Sequence, residues 1–246
     1  MFLLVLGGWQ ALIWVMNYPP YILPAPVQVV RRFWRLLRDG TMWYHAQITL
    51  REILLGLSLG TVVATMLGYL LAHSAILERL LAPYLVASQS IPVVAIAPLL
   101  VIWFGPGVLS KVIVCALTVF FPILINTVAG LRSIDRELRD LMRSLEAGWW
   151  QKVRYLEIPA ALPSFLNGLK VGATLSVIGA IVGEFVASNR GLGYLLKQGQ
   201  ELYDTPLVFV GIGMLMILAQ LLYGAVALLE RILLRWQAES KRGGKE

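Results

Sequence analysis

The chain alternates between long apolar blocks and short polar breaks, with one long charged interval between Ile134 and Gly168. Residues 1–16 are uncharged and apolar. They lack the basic start and small-residue cleavage site of a signal peptide, so they read as a first transmembrane helix, short or with its start trimmed. YPPYILPAP (18–26) is a proline-rich break. After it, Val27, Val30, Trp34 and Leu37 share one face of a helix over about 26–39, and Arg31, Arg35 and Arg38 share another. That pattern predicts an amphipathic helix lying on lipid headgroups, or else one packed on protein with a solvated face. Further spans are expected at about 51–72, 80–104, 109–131, 164–188 and 205–230, each near the length that crosses a hydrocarbon layer of about 30 Å. Gly56 and Gly60 in the second favour close helix packing. Pro83, Pro92 and Pro98 in the third predict a kinked or partly unwound segment. Arg190-Gly191-Leu192-Gly193 is read as a turn, and a basic tail occupies 231–246.

The charged interval begins with a short amphipathic helix. Leu138, Leu141, Met142 and Leu145 fall at i, i+3, i+4 and i+7, making one apolar stripe among Arg136, Glu137, Arg139, Asp140 and Arg143. Gly148 interrupts it, Trp149 and Trp150 follow, and Pro159 and Pro163 suit a bend feeding the next span rather than a helix interior. The loop over 132–163 has the form of a handle offered to a soluble partner.

Composition narrows the class. Of 246 residues 58% are hydrophobic and only 14% charged, against about 25% charged in an average soluble domain. This is the profile of an all-α integral membrane protein with about six spans. The net charge of +7 does not point to nucleic acid, because the basic residues flank apolar spans instead of forming one patch. Lys and Arg number twelve on the side holding the 132–163 loop, Arg79 and the C-terminal tail, against eight opposite. The positive-inside rule therefore puts that loop and both termini in the cytoplasm, with the Arg31–Arg38 cluster opposing the bias.

Chemistry within the spans is sparse. Cys115 alone can form neither a disulfide framework nor a metal cluster, and it suits a packing role. His45 and His73 lack ligand spacing. Glu184 is an acid in an apolar span, where it either contacts solute or pairs with Arg190 or Lys197. Gln89, Ser90 and Asn126 are polar beside prolines, so they are candidates for a translocation route, or for plain interhelical hydrogen bonding. No catalytic, metal or cofactor site is expected. There is no GxxxxGK[ST] phosphate loop, so any ATP and its Mg²⁺ must be bound elsewhere. An ion-coupled secondary transporter would need more midplane ion-coupling groups than Glu184 supplies. An intramembrane enzyme would need paired carboxylates or an activated nucleophile.

The charged loop resembles the cytoplasmic loop of permease subunits of binding-protein-dependent ABC importers, written Glu-Ala-Ala, three residues, Gly, nine residues, then Ile-x-Leu-Pro. In that register Asp140, Leu141 and Met142 stand at Glu-Ala-Ala, Glu146 at the Gly, and Leu156-Glu157-Ile158-Pro159 at the end. Glu146 departs from the glycine, and Gly148 is expected to take the turn instead. LPAP (23–26), SIPVVAIAPLLVIWFG (90–105), FPILINT (121–127), IPAALPSFLNGLKVG (158–172), GEF (183–185) and RGLGYL (190–195) are similar to the sulfonate, taurine and nitrate branch.

The resemblance covers nearly the whole chain. It implies a type I importer permease in the bacterial inner membrane, working as two copies with two ATP-binding subunits and an extracytoplasmic binding protein. It implies a coupling helix that docks on the ATPase through Leu138, Arg139, Asp140, Leu141, Met142, Arg143, Leu145, Glu146, Ala147, Gly148, Ile158 and Pro159. The implied cargo is a small solute, either a sulfonate- or nitrate-like anion or a vitamin precursor such as a pyrimidine or flavin.

Overall fold

A computed structural model describes residues 2–235, the side chains of Phe2, Leu3, Val5 and Leu6 excepted. Among these residues every regular element is helical: α1 (Phe2–Met16), α2 (Pro26–Arg38), α3 (Thr41–His73), α4 (Ala75–Gln89), α5 (Val93–Phe104), α6 (Val108–Arg132), α7 (Arg136–Ser144), α8 (Trp149–Lys152), α9 (Ile158–Ala187), α10 (Leu192–Glu201) and α11 (Thr205–Leu233). Four of the helical runs are long and apolar enough to cross a bilayer, and α4 with α5 makes a fifth if the bent pair is one span. α1, at 15 residues, spans about 22 Å. Lys241, Arg242 and Lys245 of the basic tail lie outside the described residues.

The centre of the bundle is α6, packed between α3 and α9. Small residues set the spacing. A Cβ added to Gly56 would lie 2.4 Å from the Cβ of Cys115, and one on Gly60 would lie 2.8 Å from the Ala116 carbonyl oxygen. On α9, a Cβ on Gly179 would come 2.8 Å from the Cα of Cys115. In lipid, where apolar burial supplies little drive, such backbone approach is what holds helices together. Cys115 is fully buried between the two glycine stripes.

Four expectations need correction. The second span, expected at 51–72, lies in a helix that starts ten residues earlier. Met42, His45, Ala46, Thr49 and Glu52 extend its buried stripe at helical spacing. The third, expected at 80–104, is two helices meeting at 96°, because Pro92 follows the α4 terminus and restricts Ile91 to extended backbone.

Pro159 and Pro163 do not mark a break: helix runs without interruption from Trp149 to Ala187. A π-helical turn at Val153–Glu157 has already shifted the hydrogen-bond register, with Ile158 N–H reaching the Val153 carbonyl, so the missing donor at 159 is accommodated. Finally, RGLGYL is a turn only at Gly191 (φ 105°). From Leu192 it becomes α10, whose Leu192, Leu195, Leu196 and Gly199 bury at i, i+3, i+4 and i+7.

Candidate functional site

α7 sits at the end of the bundle where α3 finishes and α9 begins. Arg139 donates from Nη2 to the Leu131 carbonyl (2.8 Å), placing a cation on the carbonyl end of α6. Ile134 is buried beneath. Arg139, Met142 and Arg143 line a groove of about 160 Å³ together with His73, Ile134, Lys152, Leu156 and Glu157. The predicted stripe is therefore divided. Met142, half-buried, turns toward the protein's own body, while Leu138, Leu141 and Leu145 are 44%, 54% and 67% exposed. Asp140 and Arg143 form an exposed pair at 3.2 Å, worth a few tenths of a kcal/mol.

The end of α7 is a Schellman cap. Ala147 N–H reaches the Met142 carbonyl (3.0 Å) and Glu146 N–H the Arg143 carbonyl (2.9 Å), with Glu146 at φ 51°. The turn expected at Gly148 is thus made by Glu146, in the register position where the family motif has glycine. The six-to-one hydrogen bond requires a left-handed residue there and nowhere else. Gly148 has φ −64° and starts α8, its N–H bonded to Gln151 Oε1 (2.7 Å). Trp149 and Trp150 stay exposed beside it, their rings 4.7 Å apart. Ile158 is exposed and Pro159 half-buried on the following turn. Glu157 pairs with His73 Nε2 (2.8 Å), fastening this turn to the end of α3.

The four candidate route residues are not brought together. Gln89 ends α4 and Ser90 caps it, both exposed at the 96° bend. Asn126 donates to the Pro122 carbonyl (2.8 Å), the group beside the missing proline donor, and accepts from Asn167 (3.4 Å).

Glu184 is fully buried at the opposite end of the bundle from α7. It pairs with neither Arg190 nor Lys197. Its carboxylate accepts from Thr49 Oγ1 (2.6 Å) and from the Gly193 N–H. Thr49 Oγ1 in turn accepts from Leu192 N–H (2.8 Å), and His45 Nδ1 accepts from Gly191 N–H (2.9 Å). Three side chains from α3 and α9 thus satisfy the free donors at the start of α10. Next to them Lys111 Nζ binds Glu52 (3.1 Å) and Ser188 (2.7 Å), with both charges buried. A Cβ on Gly191 would lie 2.1 Å from the Glu184 carboxylate, so only glycine fits. Sequence reasoning missed Thr49, Glu52 and Lys111. Met42, Ala46, Ile53 and Gly56, which share a helical face with Thr49 and Glu52, were the available signal.

The family of binding-protein-dependent transport system inner membrane components matches residues 57–235. The riboflavin transport system permease protein RibX of Chloroflexus aurantiacus is 49% identical over 236 residues, covering 96% of this chain and 88% of that protein. The formylaminopyrimidine transport permease protein ThiX of Halalkalibacterium halodurans is 42% identical, covering 89% and 87%. The putative aliphatic sulfonates transport permease protein SsuC of Bacillus subtilis is 34% identical, covering 95% and 84%.

Proposed function

The chain belongs to the inner membrane components of binding-protein-dependent transport systems, and from that premise we propose how its two ends divide the work of transport. It is a multi-pass inner-membrane permease of an ABC importer, so an ATP-binding subunit and a binding protein act with it. α7 is the coupling helix. Leu138, Leu141 and Leu145 enter a groove on the ATPase, Asp140 and Arg143 set register at the rim, and Arg139 and Met142 anchor the helix to its own bundle. The observation that carries this is the division of the stripe: three large apolar side chains stand exposed on a charged helix fastened from behind.

Two identical copies surround the pathway. α4 has no buried residue, which supports a second copy or the route itself against the α4–α5 bend, with Gln89 and Ser90 facing solute. ATP and Mg²⁺ are bound by the partner, since this chain lacks a phosphate loop.

The cargo is a heteroaromatic vitamin or vitamin precursor. Identity to the riboflavin and formylaminopyrimidine permeases, at 49% and 42%, exceeds that to the sulfonate permease at 34%, and this supports the reading.

Two experiments test these statements. Leu138→Asp with Leu141→Asp should release the ATPase from the copurified complex; copurification unchanged refutes docking by α7. Uptake in reconstituted vesicles should follow riboflavin or a pyrimidine. Uptake of alkanesulfonate with neither of these refutes the cargo.

A further inference from the structure

α2 has three faces. Val29, Phe33 and Leu36 turn into the core against α3 and α11. Val27, Val30, Trp34 and Leu37 form a second, exposed apolar face. At about 100° per residue, Arg31, Arg35 and Arg38 fall beside that second face, and all three are exposed. Among the described residues these three arginines make no ion pair and no side-chain hydrogen bond, whereas Arg32 is tied to Asp204 at 2.6 Å. Arg31, Arg35 and Arg38 border an open groove of about 600 Å³ with Trp34 and Asp39. Asp39 does not neutralise them by pairing. Its Oδ1 accepts the Thr41 N–H (2.9 Å), a bond that holds its carboxyl below the ordinary range.

Depth is set by what α2 touches. Arg32 meets Asp204, the residue that caps α11, and Gly40 separates α2 from the first turn of α3. Both spans begin at this level, so α2 lies at a membrane surface. It is the surface opposite α7, because the far end of α3 is about 50 Å away and carries the His73–Glu157 pair. Four arginines there run against the charge bias of the other loops.

We infer that the Arg31–Arg35–Arg38 face of α2, with Trp34 and its apolar neighbours, is a binding site for the phosphate headgroup of an anionic phospholipid. The guanidinium fork matches phosphate oxygens bidentately. Trp34 belongs at headgroup depth. The unpartnered apolar face meets the acyl and glycerol region of the same molecule. An acidic soluble protein would satisfy the arginines and leave Val27, Val30 and Leu37 uncovered. Lipid satisfies both faces at once.

The test uses the whole importer complex in nanodiscs made with phosphatidylcholine alone or mixed with phosphatidylglycerol. Lipid retained after detergent washing is measured by mass spectrometry. Each arginine near an anionic surface is worth roughly a fivefold gain in affinity, so the wild type should favour phosphatidylglycerol by at least about tenfold. Arg31→Gln with Arg35→Gln and Arg38→Gln should abolish that preference. The triple Lys variant should keep part of it, and added inorganic phosphate should leave it intact. The residues are exposed, so the substitutions leave the core untouched. Equal preference in the wild type and the Gln variant overturns the assignment. So does displacement of the lipid by inorganic phosphate. An unchanged lipid preference in the Gln variant with lost stimulation by the binding protein also overturns it, and gives the face to an acidic protein.

Discussion

The two ends of the bundle handle charge in opposite ways. Away from α7, the ionisable groups inside the bundle are buried and hydrogen-bonded to one another or to the chain (Glu184 with Thr49 and Gly193, Lys111 with Glu52 and Ser188, His45 with Gly191), while Arg31, Arg35 and Arg38 of α2 at its rim stay open. On α7 itself the charges are all exposed, and the buried position is taken by Ile134. Large apolar groups (Leu138, Leu141, Leu145, Trp149 and Trp150) face outward instead. A buried polar cluster fixes one arrangement of four helices, α3, α6, α9 and α10, because every alternative strands a charge in lipid. An exposed apolar helix held by one arginine specifies little about its own bundle and leaves its free face for a partner. One end is closed on itself, and the other keeps an exposed apolar face, the face that the proposed docking would use.

Breaking the closed end should cost most. Lys111→Met leaves Glu52 buried without its cation and should destabilise by about 3–5 kcal/mol. Thermal unfolding of the detergent-purified protein reads this, and adding Glu52→Gln should restore most of the loss. Recovery of less than a third would show that the pair is not the source. Glu184→Ala should cost roughly 2–3 kcal/mol, since it orphans the Gly193 N–H and the Thr49 hydroxyl. Because the lost groups hold the start of α10, hydrogen exchange should rise first at residues 191–196.

At the attachment end the effects shrink and one changes sign. Glu146→Gly relieves a non-glycine residue at φ 51° and should stabilise by about 1 kcal/mol, visible as a raised Tm. A lowered Tm would mean that the Glu146 side chain makes a contact worth more than the strain. Leu138→Asp with Leu141→Asp should change the stability of the isolated permease, read from its Tm, by no more than about 0.5 kcal/mol, even though the proposed docking has it release the ATPase. Loss of folding in that variant would erase the contrast between the two ends.

Much of this was legible in the chain, and for local reasons. Hydropathy over twenty residues identifies spans, because crossing lipid is a property of each segment alone. The spacing Leu138, Leu141, Met142, Leu145 identifies an amphipathic helix before any packing is known. The family register even marked position 146 as a glycine site, and its left-handed backbone explains why. What the chain did not disclose depends on partners far along it. Thr49 and Glu184 are 135 residues apart, and no pattern around either says that the acid caps α10 rather than facing solute. That Met142 turns inward while Leu138, Leu141 and Leu145 stay exposed goes with Arg139 reaching the Leu131 carbonyl, a contact 8 residues back along the chain. The unbroken helix through Pro159 depended on a π turn whose register shift only the folded backbone reveals. Sequence determined the segments and their faces, since those follow from side-chain periodicity. Tertiary structure decided which polar groups meet, since a buried hydrogen bond is settled by geometry between segments and not by the composition of either.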